Sequence, residues 1–374
     1  MPTPSGKGFI DYVLWGDNGL PLAIIEAKRS EKDPAIGQQQ ARPYADCPQS
    51  ETGRRSVIFF TNGHQHWIWD DAAGYPSPPL SGFFTKDELE LMVQRRQSRL
   101  PLKDAVIDQH IVERCYQLRA LRAVGEAFEA KQREALLVMA TGSGKTRAVV
   151  AFIDQLMKRG WVKRVLFLPD RRALVTQAVG VFKTHLPSAT TVNLVTEKNP
   201  DGRVFVSTYP TMMGLIDATD GSMFGPGYFD LIIIDEAHRS VYQKYRAIFD
   251  WFDSLLVGLT ATPKDDVDRN TYSLFSLEDG VPTDAYSLTR LSLRLPRPTG
   301  PISMPVKFLR DGIRYKDLSE ADKAEWDSLE WDDDGVTPTD VAAEEINRRL
   351  FNADTADKVD HCVNLGGLGC SARK

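Results

Sequence analysis

Ala135-Leu-Leu-Val-Met-Ala-Thr-Gly-Ser-Gly-Lys-Thr146 runs from a short apolar strand straight into a glycine loop, and Arg147–Met157 continues as a helix-compatible run. Strand, glycine loop and helix in that order suit the phosphates of a nucleoside triphosphate. Gly142 and Gly144 let the backbone turn its N–H groups inward, Thr141 and Ser143 fill out the loop, and the helix N-terminus adds the positive end of its dipole. Lys145 would neutralise the β- and γ-phosphates of ATP, and the Thr146 hydroxyl would ligate Mg²⁺. The strict form of this loop has glycine at position 139, where this chain carries Met.

About 90 residues later, Phe229-Asp-Leu-Ile-Ile-Ile-Asp235 reads as a strand buried on both faces, ending in Asp235-Glu-Ala-His238. A carboxylate at the C-terminal end of a central parallel strand stands where open α/β sheets bind ligands. Asp235 would hold the Mg²⁺ shell and Glu236 would polarise the attacking water. His238 is placed to sense the next strand end, Gly258-Leu-Thr-Ala-Thr-Pro263, through Thr260 and Thr262. Residues 140–146 and 235–238 are therefore expected to meet around one magnesium–nucleotide pair.

Outward from these two pieces, residues 108–265 repeat apolar strand, turn and amphipathic helix, the rhythm of a parallel α/β domain. Beyond Asp265 the chain becomes Pro-rich and then acidic, with a helix expected at Thr339–Leu350. Residues 311–360 carry 16 Asp/Glu against 6 Lys/Arg, a local net of −10, so the overall −5 leaves +5 for the rest. Acidity thus belongs to one segment and does not oppose phosphate contacts elsewhere. With 374 residues and 42% hydrophobic side chains the chain can bury more than one core. Its four cysteines (Cys47, Cys115, Cys362, Cys370) form no C-x-x-C pair, and its apolar runs fall short of a membrane span. Together these features point to a cytoplasmic protein with no membrane partner.

At the front, Asn18-Gly19 lies between two apolar runs, the strongest short hairpin signal. A two-residue turn there makes Asp17 face Leu20 and puts Asp11 opposite Glu26, with Lys28 two residues on along the same face. Two carboxylates and a lysine converging in this way make a divalent-metal site that could activate water beside a phosphate. A bulge in the turn would shift the register by one and break the geometry. Downstream, Asp33-Pro34 suits a helix start, and Gln40 and Tyr44 share a helix face, although Pro43 interrupts that turn.

Lys145, Asp235-Glu-Ala-His238 and Thr260-Ala-Thr262 resemble motifs I, II and III of superfamily 2 helicases and translocases. With Tyr116-Gln117, Met139-Ala-Thr-Gly142, Arg164-Val-Leu-Phe-Leu-Pro-Asp-Arg171, Ser207-Thr-Tyr209 and Asp235-Glu-Ala-His-Arg-Ser240, the wording is similar to the restriction (R) subunit of type I restriction-modification systems. The front set, Asp11, Glu26-x-Lys28 and Gln40-x-x-x-Tyr44, resembles the PD-(D/E)xK nuclease core of that subunit. The resemblance implies that Gln117 contacts the adenine, and that Asp170, Arg171, Ser207 and Thr208 lie on a DNA-tracking face. It implies a partial nuclease-like α/β module (1–84), a helical linker (85–107), a RecA-like parallel-sheet motor lobe (108–265), and a linker with the incomplete start of a second motor lobe (266–374). ATP and Mg²⁺ are the implied cofactors. Double-stranded DNA and the methylation and specificity subunits are the implied partners.

Two departures lead us to expect a chain truncated at both ends. The family places helices ahead of the first catalytic Asp, and only ten residues precede Asp11. The second lobe that would bring an arginine finger is not recognisable after Pro263. Two other readings stay open: a superfamily 2 relative whose front module binds DNA without cleaving it, and an inactive truncated gene product.

Overall fold

The computed structural model describes residues 2–3, 6–7, 10–27, 45–46, 48–140, 142–197, 201–217, 222–237, 241–261, 271–278, 280–286, 313–314 and 340–341. The chain divides into two compact units, residues 1–138 with 146–285, and residues 139–145 with 286–374.

The first unit opens with a short antiparallel pair, β1 (Pro2–Thr3) and β2 (Gly6–Lys7). A five-stranded mixed sheet follows, in the order β3-β4-β5-β6-β7: β3 (Tyr12–Trp15), β4 (Pro21–Ala27), β5 (Val57–Thr61), β6 (His66–Trp69) and β7 (Pro79–Leu80). β4 and β5 run parallel, and the connection between them includes helical residues 45–46 and 48–52. Every residue of β5 is buried, because it is covered on both faces. Asn62-Gly63 turns β5 into β6: Gly63 adopts φ 88°, and the Asn62 side chain accepts from the amides of His64 and Gln65.

α1 (Lys86–Ser98) begins at Thr85 in a capping box with Glu88, as the spacing of these residues favours. Its Leu89 and Val93 enter the sheet's core beside Leu22, Phe59 and Ile68. Burying each such side chain contributes roughly 1.5–3 kcal/mol. The helix of the 85–107 stretch, expected as a linker, is therefore part of the front module's core.

α2 (Cys115–Glu129) leads into the second sheet. Its elements are β8 (Glu134–Met139), α3 (Lys145–Lys158), β9 (Val165–Leu168), α4 (Arg172–His185), β10 (Thr191–Asn193), β11 (Val204–Val206), α5 (Tyr209–Ile216), β12 (Leu231–Asp235), α6 (Val241–Trp251), β13 (Leu255–Thr260), α7 (Thr271–Leu274) and β14 (Asp284–Tyr286). The strand order is β10-β11-β9-β12-β13-β8-β14, and the pairs from β10 to β8 are parallel. This is the RecA-like α/β architecture expected from the alternation of apolar strands and amphipathic helices.

The lobe continues past residue 265, where the sequence texture changes. Tyr272 and Phe275 are buried in the core that holds Ile232 and Leu256, and Gly258 leaves the space that the Phe275 ring occupies against β13. Arg119 on α2 also forms an ion pair with Asp284 at 3.0 Å. Composition hid this return because its anchors are two aromatic residues in a polar stretch.

In the second unit, β15 (Ile313–Arg314) and β16 (Asp340–Val341) pair antiparallel. Asp340 and Val341, at the start of the helix expected over Thr339–Leu350, are extended, and the remainder of that stretch lies outside the described residues. β-branched Val341 lies opposite β-branched Ile313, a pairing that favours the sheet.

Candidate functional site

Parallel pairing aligns the C-terminal ends of β8, β13 and β12. Thr260 lies opposite Val138, and Asp235 lies opposite Leu259. Thr260 is fully buried, Asp235 is partly exposed, and the Ala237 amide donates to Leu259 O at 2.9 Å, holding the turn after β12 against β13. Glu236 adopts φ 55°, and its amide donates to Asp235 Oδ1 at 3.2 Å. A side-chain-bearing residue in the left-handed region costs about 1–3 kcal/mol, and such residues gather at functional sites. Thr146 stands in the first turn of α3, partly exposed.

Within the second unit, Gly142 and Gly144 take φ 75° and 79°, the conformations for which their lack of a Cβ suits them. The Ser143 amide donates to Ala140 O at 3.1 Å, which tightens the loop before α3 starts at Lys145. Gln117 is buried in the first turn of α2. Thr141, His238 and Thr262 lie outside the described residues, as do Lys28, Gln40 and Tyr44 of the front set.

The expected DNA-tracking residues divide. Arg171 is exposed at the start of α4, and Asp170 forms a long ion pair with it at 3.9 Å. Ser207 and Thr208 are buried, which removes them from an open face. Their hydroxyls serve local contacts, Ser207 Oγ donating to Thr208 O at 3.1 Å and Thr208 Oγ1 meeting Thr211 Oγ1 at 3.0 Å. The cause is position: they follow β11, an inner strand between β10 and β9 that packs against α4.

Tyr209 was missed as a site residue by sequence reasoning, which quoted it only within a motif. Its ring stacks on Tyr245 at 5.4 Å, and its buried hydroxyl has no hydrogen-bond partner among the described residues. Burial pushes the phenol well above its ordinary value, and the carboxylates of Asp235, Asp170 and Glu236 push it further. No local pattern distinguishes such a tyrosine from a core aromatic.

The front hairpin reaches its expected register by another route. Gly16 N donates to Leu20 O and Gly19 N to Gly16 O, so the loop is wider than the two-residue turn expected, and Asp17 does not face Leu20. Trp15 pairs with Pro21 and Leu14 with Ala23, leaving Leu22 as an extra residue. The wider loop and the bulge offset each other, so Val13 pairs with Ile24 and Tyr12 with Ile25, in the register that leads to Asp11 and Glu26. Val13 and Ile24 share one apolar cluster, which places Asp11 and Glu26 on that face by alternation. Glu26 is buried, whereas Asp11 is exposed and accepts the Ala27 amide at 2.8 Å. No group of three or more His, Cys, Asp or Glu among the described residues forms a metal cluster.

The family model described as type I restriction enzyme R protein N terminus matches residues 5–77, and that described as type III restriction enzyme res subunit matches residues 110–265. The EcoAI endonuclease subunit of a type I restriction enzyme from Escherichia coli is 34% identical over 310 residues, covering 74% of this chain and 35% of the relative. The chain belongs to the R-subunit family of type I restriction enzymes. The EcoKI endonuclease subunit of a type I restriction enzyme, from Escherichia coli K12, is 28% identical over 70% of this chain and 29% of its own length. A structure described as a fragment of an HsdR subunit from Vibrio vulnificus matches at 27% identity and a TM-score of 0.39, covering 75% of this chain and 50% of that one. This R-subunit chain spans about a third of the length of the two curated relatives. The N-terminal match coincides with the sheet bearing Asp11 and Glu26, and the second match with the strands ending at Asp235 and Thr260. No helix among the described residues is long and apolar enough to cross a membrane.

Proposed function

We propose that the R subunit to which this chain belongs binds ATP with Mg²⁺ through these residues and couples its hydrolysis to movement along double-stranded DNA. The front module would cut the duplex in a Mg²⁺-dependent step, within a complex that includes methylation and specificity subunits. The observation that carries the reading is the strand edge where Glu236 is held at φ 55° beside Asp235, after a glycine loop with two left-handed glycines.

The donors fit a magnesium–nucleotide pair. Amides of the Gly142–Gly144 loop and the Lys145 ammonium suit phosphate oxygens, and the Thr146 hydroxyl and Asp235 carboxylate are oxygen ligands of the kind Mg²⁺ takes. When bound, Mg²⁺ would neutralise charge developing on the β- and γ-phosphates. Glu236, turned out of the strand line, orients a water for attack. Gln117 would meet the adenine, and Thr260, on the strand beside Asp235, would relay the state of the site to the following segment with His238 and Thr262. Arg171, with Asp170 beside it, would track phosphate backbone. At the front, Asp11 and Glu26 supply the one or two carboxylates a Mg²⁺ ion usually takes from protein, and Lys28 would offset phosphate charge. Gln40 and Tyr44 would complete that site.

Phosphate release with MgATP, measured with and without duplex DNA, tests the motor reading. We expect DNA to stimulate turnover by the complete R subunit and not by its Glu236→Gln variant. Equal turnover by both proteins would refute it. For the front site, Glu26→Gln is expected to abolish Mg²⁺-dependent cleavage, and undiminished cleavage would favour a module that only holds DNA.

A further inference from the structure

A cavity of about 90 Å³ lies in the seam between the five-stranded sheet, α1 and the motor lobe. It sits at the N-terminal edge of the motor sheet, where Asp230 precedes β12 and Asp253 precedes β13. β12 spans five residues, so at about 3.3 Å per residue roughly 15 Å separate this edge from Asp235. The cavity is therefore distinct from the candidate nucleotide site.

Four arginines and three aspartates line it. Three of the arginines are matched. Arg95 lies 2.5 Å from Asp230 as an ion pair without hydrogen-bond alignment, Arg96 lies 2.8 Å from Asp70, and Arg133 pairs with Asp253. Arg99 has no ion pair among the described residues. Its guanidinium stands 5.0 Å from the Trp161 ring centre and 6.0 Å from that of Tyr75, and its Nε is buried with no hydrogen-bond partner among the described residues. The Lys131 ammonium, 4.9 Å from the Tyr75 ring, adds positive charge nearby. Burial draws the Arg99 guanidinium below its ordinary value, yet arginine does not give up its proton in proteins.

Asp70 and Asp230 attract the Arg99 guanidinium without pairing with it, so a buried donor is left unmet, and an anion in the cavity would relieve that cost. The guanidinium fork matches oxyanions, and the ring faces hold it in place. The volume is several times the roughly 10–15 Å³ that a single water requires, room enough for one tetrahedral oxyanion. We propose that the seam cavity is a binding site for a phosphate-class oxyanion, with Arg99 as its principal donor, so that the front module and motor lobe share a ligand where they meet. The proposal does not depend on the ATPase reading.

Calorimetric titration of inorganic phosphate into the full chain carrying Lys145→Ala, which weakens the glycine loop as a competing phosphate site, tests it directly. We expect saturable binding, weakened at least about tenfold when Arg99→Gln is added. Equal affinity in the two proteins, or no saturable binding, would overturn the proposal. Melting curves separate a ligand role from a structural one. In phosphate-free chloride buffer Arg99→Gln should melt no lower than its parent, and phosphate should raise the parent alone. A loss of equal size in both buffers would make Arg99 a structural latch and overturn the site. Should Arg99→Gln fail to fold, Arg99→Lys keeps the charge without the fork and is expected to weaken phosphate severalfold, whereas undiminished affinity would count against the proposal. A short DNA duplex that displaces phosphate would identify a backbone phosphodiester as the source of the oxyanion, and failure to displace it would identify a free anion.

Discussion

Asp235 and Glu236 stand at the end of a strand, whereas Asp11 and Glu26 depend on which residues of two strands lie opposite each other. Parallel topology brings the C-terminal ends of β8, β13 and β12 to one edge whatever the geometry of the intervening loops. The front pair has no such protection. Its register survives only because a wide loop at residues 16–20 is offset by one extra residue at Leu22. Chemistry placed on a sheet edge tolerates local irregularity, and chemistry placed on a hairpin face must correct for it.

The largest effect expected tests whether these two regions are one folding unit. Asp230 is buried at the seam, pairs with Arg95 of α1, and accepts the amides of Lys163 and Arg164 at 2.6 and 2.8 Å. Asp230→Ala should cost about 3–5 kcal/mol in denaturant unfolding, in a single transition. Two separate transitions would show that the sheets fold independently. Next, Glu236→Gln should lower ATP turnover about 10²–10³-fold while Glu26→Gln leaves it unchanged. A parallel loss in both would break the separation between edge site and face site.

A smaller effect is expected at Tyr209. Its hydroxyl is buried without a partner among the described residues, so Tyr209→Phe should stabilise the fold by about 1 kcal/mol, read as a rise in Tm. A fall would mean that the hydroxyl makes a contact the folded protein needs.

The smallest concerns Glu88, in the front module. Burial raises its carboxyl above the ordinary value, against opposing hydrogen bonds from Thr85 and the charge of Arg164. An acid raised in the folded state is more readily protonated there than in the unfolded chain. It therefore favours folding on the acid side, and that contribution is lost as pH rises from the unfolded carboxylate range through the folded value. Glu88→Gln can still accept the Thr85 amide and carries no charge, so its melting temperature should slightly exceed the parent's at pH 7 and approach it in acid. A gap that widens in acid would contradict the assignment.

What could be read from the sequence was local. Gly142, Gly144 and the Asp235 strand end each announce themselves within a few residues, because turn and dipole chemistry act over that range. The Asp11-to-Glu26 register followed from Asn18-Gly19, although the turn itself took another form, since two offsets cancelled. Features made by docking were not legible. Arg99 and Trp161 are far apart in sequence and meet only when α1 closes on the motor lobe, and Tyr209 gains its acidic surroundings from two other strand ends. Ser207 and Thr208 look like surface residues by type and are buried because β11 is an inner strand.

The claim at the centre is that Thr146 and Asp235 serve one magnesium–nucleotide pair. A double-mutant cycle on Mg²⁺-dependent ATP affinity, using Thr146→Ala, Asp235→Asn and both together, measures this directly. We expect strong coupling, with the double variant binding little worse than the weaker single variant. Losses that simply add would mean that the two residues do not share an ion, and would contradict the account.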